Sequence, residues 1–360
     1  MPNPVKILIV DDSAIVRQAL LQIFSRDARF QVIGTAADPL FAISRIQMER
    51  PDVITLDIEM PRMDGLSFLK KIMAQHPIPT VIISSFAPKD SNLAIKAYEY
   101  GAIDVLLKPD LSNQANIDAF QYKVCDTLMA AAHSKPFRKS GSAEMTVYPK
   151  FSADAVLPKH LPVASGLRTN HIVAVGASTG GTEAIRVFLE GLDMRCPGIV
   201  IVQHMPEVFT RSFADRLNQI CQIEVKEAEN NDIVRPGKAL IAPGNKHMIL
   251  KKTGENYFVS LLDGPPVNRH RPSVDVLFRS VAQVAANKGV GILMTGMGND
   301  GAAGLLEMRE AGAFTIAQDE KSSIVFGMPK EAINLGAARE VMPLDKLASF
   351  VNANFRINSV

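Results

Sequence analysis

The chain reads as two α/β units in tandem, each built on a parallel sheet, and three observations predict this. Short apolar runs alternate with segments of helical period as far as about Met129, the pattern of a parallel sheet covered by helices on both faces. From 133 to about 169 the chain turns to Ser, Pro, Lys and Gly with few apolar clusters, a composition that reads as a linker. Beyond it, strand-like runs at 172–175, 199–202 and 290–294 recur between helix-length segments, indicating a second, doubly wound sheet. The two units are placed at 4–125 and 170–355, with the linker at 133–169.

Bulk properties agree with this division. A length of 360 residues suggests two or three folding units, and 47% hydrophobic with 21% charged residues is enough apolar material to bury real cores. The 39 basic and 37 acidic residues leave a net charge of +2, so there is no electrostatic footprint for nucleic acid or an acidic membrane surface. The basic cluster Lys135, Arg138 and Lys139 reads as a solvated linker. Cys125, Cys196 and Cys221 are widely separated, which suggests neither a disulfide framework nor a zinc site and fits a reducing cytoplasm. Met1 leads almost directly into a strand-like run and no apolar stretch approaches spanning length, so neither export nor membrane insertion is expected.

In the first unit four apolar runs end in reactive side chains. Residues 5–10 lead to Asp11 and Asp12, 53–56 to Asp57, 80–83 to Ser84 and 104–107 to Lys108. If these runs are parallel strands, their carboxyl ends share the sheet edge where open α/β folds bind ligands. Three carboxylates brought together there repel unless a hard dication neutralises them, and oxygen ligands suit Mg²⁺. Asp57 could then attack a phosphoryl group, with Lys108 offsetting charge on the phosphoryl oxygens and Ser84 donating a hydrogen bond. A single acid at a strand end is more often a cap or turn residue; the ordered set points to function.

These residues, with the segment Asp57-Ile-Glu-Met-Pro-Arg-Met-Asp-Gly65 and Lys108-Pro109, resemble a response-regulator receiver domain over about residues 4 to 125. The resemblance implies a flavodoxin-like fold of strand order 2-1-3-4-5, Asp57 as phosphoacceptor, Mg²⁺ on Asp11, Asp12 and Asp57, a chemotaxis histidine kinase as phosphodonor, and often a cis Lys108-Pro109 bond. It departs from the family at Val105, three positions before the lysine, where many receivers carry an aromatic switch residue.

In the second unit the run 171–175 enters Gly176-Ala-Ser-Thr-Gly-Gly181 and then a helical segment, which places Ser178 on a sharp strand-to-helix turn. Such a turn offers backbone N–H groups to an oxyanion, but equally to a phosphate or dinucleotide. A dinucleotide site expects an acid about twenty residues on, whereas the next strand ends in Gln203-His204, a base able to take a proton from Ser178. The run 290–294 enters Thr295-Gly-Met-Gly-Asn-Asp-Gly301 and brings Asp300 to the same edge, either to orient His204 or to serve as a turn and cap residue. No histidine follows Asp300, so the chain order is not that of an α/β-hydrolase. His247, in Pro243-Gly-Asn-Lys-His-Met248, borders the site or is a turn residue.

The glycine-rich segment 176–181, Gln203-His-Met-Pro206, Arg271-Pro-Ser-Val-Asp275, Thr295-Gly-Met-Gly-Asn-Asp-Gly301 and Phe326-Gly-Met-Pro329 together resemble the chemotaxis protein-glutamate methylesterase domain over about 170 to 355. The resemblance implies a Ser178–His204–Asp300 triad and an oxyanion hole at the Met297 backbone. It implies release of methanol from glutamyl methyl esters of methyl-accepting chemotaxis receptors and secondary deamidation of receptor glutamines. No cofactor is implied for the ester step, and the location is the cytoplasm at receptor arrays. The order receiver, linker, esterase suggests that the unphosphorylated receiver covers the site. The competing readings are a non-enzymatic phosphorylation-dependent adaptor and a nucleotide-binding effector.

Overall fold

The computed structural model describes residues 3–60, 64–85, 91–109, 114–134 and 171–356. Of the expected linker, 135–169 lies outside the described residues. The first unit alternates strictly: β1 (Val5–Val10), α1 (Ala14–Ser25), β2 (Phe30–Ala36), α2 (Pro39–Met48), β3 (Val53–Leu56), α3 (Gly65–Gln75), β4 (Thr80–Ser84), α4 (Ser91–Glu99), β5 (Asp104–Leu107) and α5 (Gln114–His133). All pairings are parallel, in the order β2-β1-β3-β4-β5. β3 and β4 are buried at every residue, as strands covered on both faces must be, which is why they read as unbroken apolar runs. Ser13, Asp38 and Asp64 cap α1, α2 and α3 by accepting N–H bonds from the first helical turn. α5 continues to His133, so residue 125 lies inside this helix.

The second unit runs β6 (Ile172–Ala177), α6 (Gly181–Glu190), β7 (Gly198–Gln203), α7 (Glu207–Ile220), β8 (Glu224–Glu227), β9 (Ile233–Val234), β10 (Lys238–Ile241), β11 (His247–Thr253) and β12 (Asn256–Leu262). It continues with α8 (Val274–Ala285), β13 (Gly289–Leu293), α9 (Ala302–Glu310), β14 (Phe314–Gln318), α10 (Met328–Asn334), β15 (Glu340–Met342) and α11 (Leu344–Phe355). Seven strands form a parallel sheet in the order β15-β14-β13-β6-β7-β10-β8. The chain leaves β6 in one direction and returns beyond it at β13, so the order reverses between these two strands. Their carboxyl ends open the crevice where such sheets bind ligands.

A separate antiparallel sheet, β11-β12-β9, is not among the elements read from the sequence. Val234, His247, Met248, Leu250, Tyr257 and Val259 are its buried positions, and Leu250 N–H donates to Ser280 Oγ of α8 at 2.9 Å. Its alternation is interrupted by charged Lys251, Lys252 and Glu255 near the hairpin tip, which hides the two-residue period.

The units meet along the α4, β5 and α5 side of the first. α4 packs on α7, with Ile95 in one apolar cluster with Phe209 and Phe213. Arg216 Nε donates to Glu99 Oε1 at 2.8 Å, and the Arg269 guanidinium lies 5.6 Å from the centre of the Tyr122 ring. Among the described residues no helix is long and apolar enough to cross a membrane.

Candidate active site

Ser178 follows β6 directly and is half-buried. Its N–H donates to Thr295 O (3.0 Å), and its carbonyl accepts from Gly181 N–H (2.7 Å) and Gln203 Nε2 (2.9 Å), so the loops after β13 and β7 both grip it. Gly180 closes the turn at φ +76, in the left-handed region. Gly296 is required for a different reason: a Cβ there would lie 2.8 Å from Ser178 Cβ. The β6–β7 register pairs Ala177 with Gln203, and His204 N–H donates to Ala177 O (3.1 Å), which sets His204 beside Ser178 across the ladder.

His204 Nε2 lies 2.8 Å from Asp300 Oδ2, with the side chains 7% and 1% exposed. Asp300 also accepts from Ser273 Oγ (2.7 Å), Asn268 Nδ2 (2.9 Å), Val274 N–H (2.7 Å) and Asp275 N–H (3.2 Å). Burial by itself raises a carboxyl pKa, but the hydrogen bond and charge of His204, with the Asn268 and Val274 donors, hold Asp300 well below the usual carboxylate range. An ionised Asp300 can only accept, so the proton of neutral His204 sits on Nε2 and the lone pair on Nδ1. Nδ1 is buried and has no hydrogen-bond partner among the described residues. The Met297 N–H likewise has no acceptor among the described residues, while Gly296 beside it takes part in three backbone bonds. The structure thus brings His204 and Asp300 into contact and sets Ser178 on the adjacent strand end, with no hydrogen bond between Ser178 Oγ and His204 among the described residues.

His247 is set apart from this group. Its Nε2 contacts Pro265 O (3.0 Å) and its Nδ1 accepts from Ser273 N–H (3.2 Å), so it braces the loop before α8. That loop supplies what the sequence reading missed: Asn268 and Ser273 on Asp300, and His270, whose ring stacks on His204. The available signal was a histidine inside a Pro-rich, non-periodic stretch, Gly264-Pro-Pro-Val-Asn-Arg-His-Arg-Pro272.

At the carboxyl edge of the first sheet, Asp57 Oδ1 accepts from Ser84 Oγ (2.6 Å) and Ile58 N–H (2.7 Å), and Oδ2 accepts from Lys108 Nζ (2.5 Å). Lys108 Nζ also lies 2.8 Å from Asp11 Oδ2. Carboxylate oxygens of Asp11, Asp12 and Asp57 lie within 4.8 Å of one another, with Asp12 exposed and the other two buried. Burial lowers and the two carboxylates raise the Lys108 ammonium, the carboxylates prevailing; Asp11 is raised chiefly by burial. One ammonium among three carboxylates leaves an excess of negative oxygen ligands, a donor set that fits Mg²⁺. Val105 is fully buried, and the Tyr98 hydroxyl of α4 donates to Asp104 Oδ1 (3.1 Å). The Lys108-Pro109 bond is not cis; the trans form is the intrinsic default of X-Pro by roughly 0.5–1 kcal/mol, and the cis peptide among the described residues is Arg271-Pro272.

Comparison with known proteins identifies the family of each unit. The CheB methylesterase family matches residues 173–351 and the response regulator receiver domain family matches residues 7–117. The chain is 54% identical over 344 residues to protein-glutamate methylesterase/protein-glutamine glutaminase 3 of Geobacter metallireducens, covering 96% of this chain and 97% of that one. It is 52% identical over 351 residues to protein-glutamate methylesterase/protein-glutamine glutaminase 2 of Oleidesulfovibrio alaskensis, covering 98% of both. Among solved structures it is similar to the CheB methylesterase catalytic domain of Thermotoga maritima, at 38% identity and TM-score 0.50 over 51% of this chain and 97% of that one. With its full-length kinship to these enzymes, and a receiver sheet followed by a seven-stranded parallel sheet, the chain belongs to the CheB family of protein-glutamate methylesterases/protein-glutamine glutaminases.

Proposed function

We propose that this protein hydrolyses γ-glutamyl methyl esters of chemotaxis receptors, and deamidates receptor glutamines, with Ser178 as nucleophile under control of phosphorylation at Asp57. The observation that carries the reading is the His204–Asp300 contact at 2.8 Å, which leaves His204 Nδ1 unpartnered on the strand end next to Ser178. Ser178 Oγ attacks the ester carbonyl as its proton passes to Nδ1, and Asp300 stabilises the imidazolium that forms. The oxyanion is received by the Met297 N–H, which has no acceptor among the described residues. Collapse returns the proton to the leaving methoxide and releases methanol. Water, deprotonated by His204, then attacks the acyl-enzyme and frees the glutamate. A glutamine amide passes through a similar tetrahedral intermediate, with ammonia leaving in place of methanol.

In the receiver, Asp11, Asp12 and Asp57 would hold Mg²⁺, which when bound supplies charge neutralisation for phosphoryl transfer from a chemotaxis histidine kinase. Lys108 is placed to pair with phosphoryl oxygens and Ser84 to donate to them. The contact of the receiver with the turn around Ser178 supports a gate in which the unphosphorylated receiver covers the site. Activity in the cytoplasm at receptor arrays follows from such substrates.

The test is methanol release from methylated receptor membranes by wild type and Ser178→Ala, each with and without Mg²⁺ and a small phosphodonor. Release that vanishes in Ser178→Ala and rises with phosphodonor supports the proposal. No release by wild type on competent substrate sinks it in favour of an adaptor. Ammonia release from the glutamine form of the receptor tests the deamidase activity.

A further inference from the structure

In the loop between β12 and α8, Val267 and His270 exchange both backbone hydrogen bonds, at 3.0 and 2.9 Å. Asn268 and Arg269 between them have φ of 50° and 68°, the two left-handed positions of a type I′ turn. This conformation sends three consecutive side chains to three places: Asn268 to Asp300, Arg269 to Tyr122 of α5, and His270 onto the catalytic imidazole. The His270 and His204 rings have centroids 3.6 Å apart and planes within 8° of parallel.

We propose that His270 is a positioning residue for the ester step: its ring face fixes the plane of the His204 imidazole and stabilises the imidazolium that forms as Ser178 is deprotonated. This rests on the triad reading above. A single hydrogen bond at Nε2 anchors His204 at one point and leaves the ring free to rock about it. A parallel face contact removes that freedom and holds the plane of the ring while Nε2 stays on Asp300. The same face offers its π-electrons to the cation when the proton arrives.

The partition of charge between the stacked rings supports this. Burial, His204 across the stack, Lys123 from α5 and Arg269 from its own turn push His270 down to about 3, with Asp300 from the β13–α9 loop opposing. His270 is therefore held neutral beside His204. The His270 ring nitrogens have no hydrogen-bond partner among the described residues, whereas its ring face lies on His204. Its contribution runs through its face, and an aromatic ring without nitrogens should replace it.

The experiment compares wild type, His270→Phe, His270→Leu and Ser178→Ala in the full chain with Mg²⁺ and a small phosphodonor, measuring kcat, KM and the pH dependence of kcat for methanol release. His270→Leu fills the space without an aromatic face, and its kcat is expected to fall about tenfold with KM nearly unchanged. His270→Phe should keep kcat within about threefold of wild type, and the acid limb of its kcat profile should lie at the wild-type pH. Should the Leu variant not fold, His270→Gln takes its place. Wild-type kcat in the Leu or Gln variant overturns the inference, and so does a Phe variant as impaired as Leu. An inactive Ser178→Ala beside a fully active His270→Leu rejects this inference alone, whereas an active Ser178→Ala rejects the triad reading beneath it.

Discussion

Thr179 Oγ1 donates to Asp104 Oδ2 at 3.3 Å, joining the residue after Ser178 to the first residue of β5 in the other unit. Asp104 is half-buried and also accepts from Tyr98, so the chain of contacts runs from α4 of the receiver to the turn that carries Ser178. Thr295 Oγ1 continues it by donating to Thr179 O at 3.0 Å.

If this contact helps to hold the gate closed, Asp104→Ala raises the rate of the unphosphorylated enzyme and brings it closer to the phosphodonor-stimulated rate. One net hydrogen bond is worth about 1 kcal/mol, so the rise is about fivefold. Complete switching needs roughly 5.5 kcal/mol, so this bond is one contributor among several. Methanol release with and without phosphodonor checks it, and an unchanged ratio would remove Asp104 from the gate.

Asp300→Asn keeps the volume but loses the charge that accepts from His204 Nε2 and stabilises its imidazolium. We expect kcat to fall by ~10³–10⁴-fold with KM little changed. Steady-state kinetics on methylated receptor decide; a loss confined to KM would mean that Asp300 binds substrate instead.

Gly296→Ala drives a Cβ to 2.8 Å from Ser178 Cβ and 2.3 Å from Met328 Sδ. Displacement of the nucleophile by a fraction of an ångström to 1 Å costs up to ~100-fold in kcat. Thermal unfolding measured alongside separates a displaced Ser178 from an unfolded domain.

Asp57→Asn should incorporate no phosphoryl group from a radiolabelled small phosphodonor and lose its Mg²⁺-dependent stimulation. Lys108→Ala, which deprives Asp11 and Asp57 of their shared ammonium, should retain a labelled Asp57 but respond weakly. Labelling and methanol release on the same preparations separate the two effects.

Stability should fall on acidification in a defined window. His270 is pushed down to about 3 from an ordinary 6.5, so the unfolded chain binds a proton that the folded chain refuses, and stability is lost as pH falls below 6.5. Asp300, depressed from an ordinary 3.8, adds a further loss below that pH. Denaturation midpoints against pH should show a shallower decline between 6.5 and 3.8 for His270→Phe than for wild type. Identical slopes would place the titrating group elsewhere.

The strands that carry chemistry were legible in the sequence because interior parallel strands must be apolar throughout. A polar residue at the end of such a run, as with Asp57, Ser84, Ser178 and His204, is then necessarily at the carboxyl edge. Chain order alone also separated this esterase from an α/β-hydrolase. The β11–β12 hairpin was not legible, since its buried face exists only by contact with α8, and its charged tip breaks the alternation.

The side chains around His204 and Asp300 lay further still from sequence reasoning. His270 is 66 positions from His204, and nothing periodic links them; a left-handed pair at Asn268 and Arg269 turns that loop over His204. Which nitrogen of His204 faces Asp300, and that Thr179 reaches Asp104 of the other unit, are likewise set by tertiary packing. Which residues end each strand can be read along the chain, because burial pattern is local. How those ends are oriented and braced is fixed by the fold, because hydrogen-bond direction and ring stacking depend on loops brought together from distant segments.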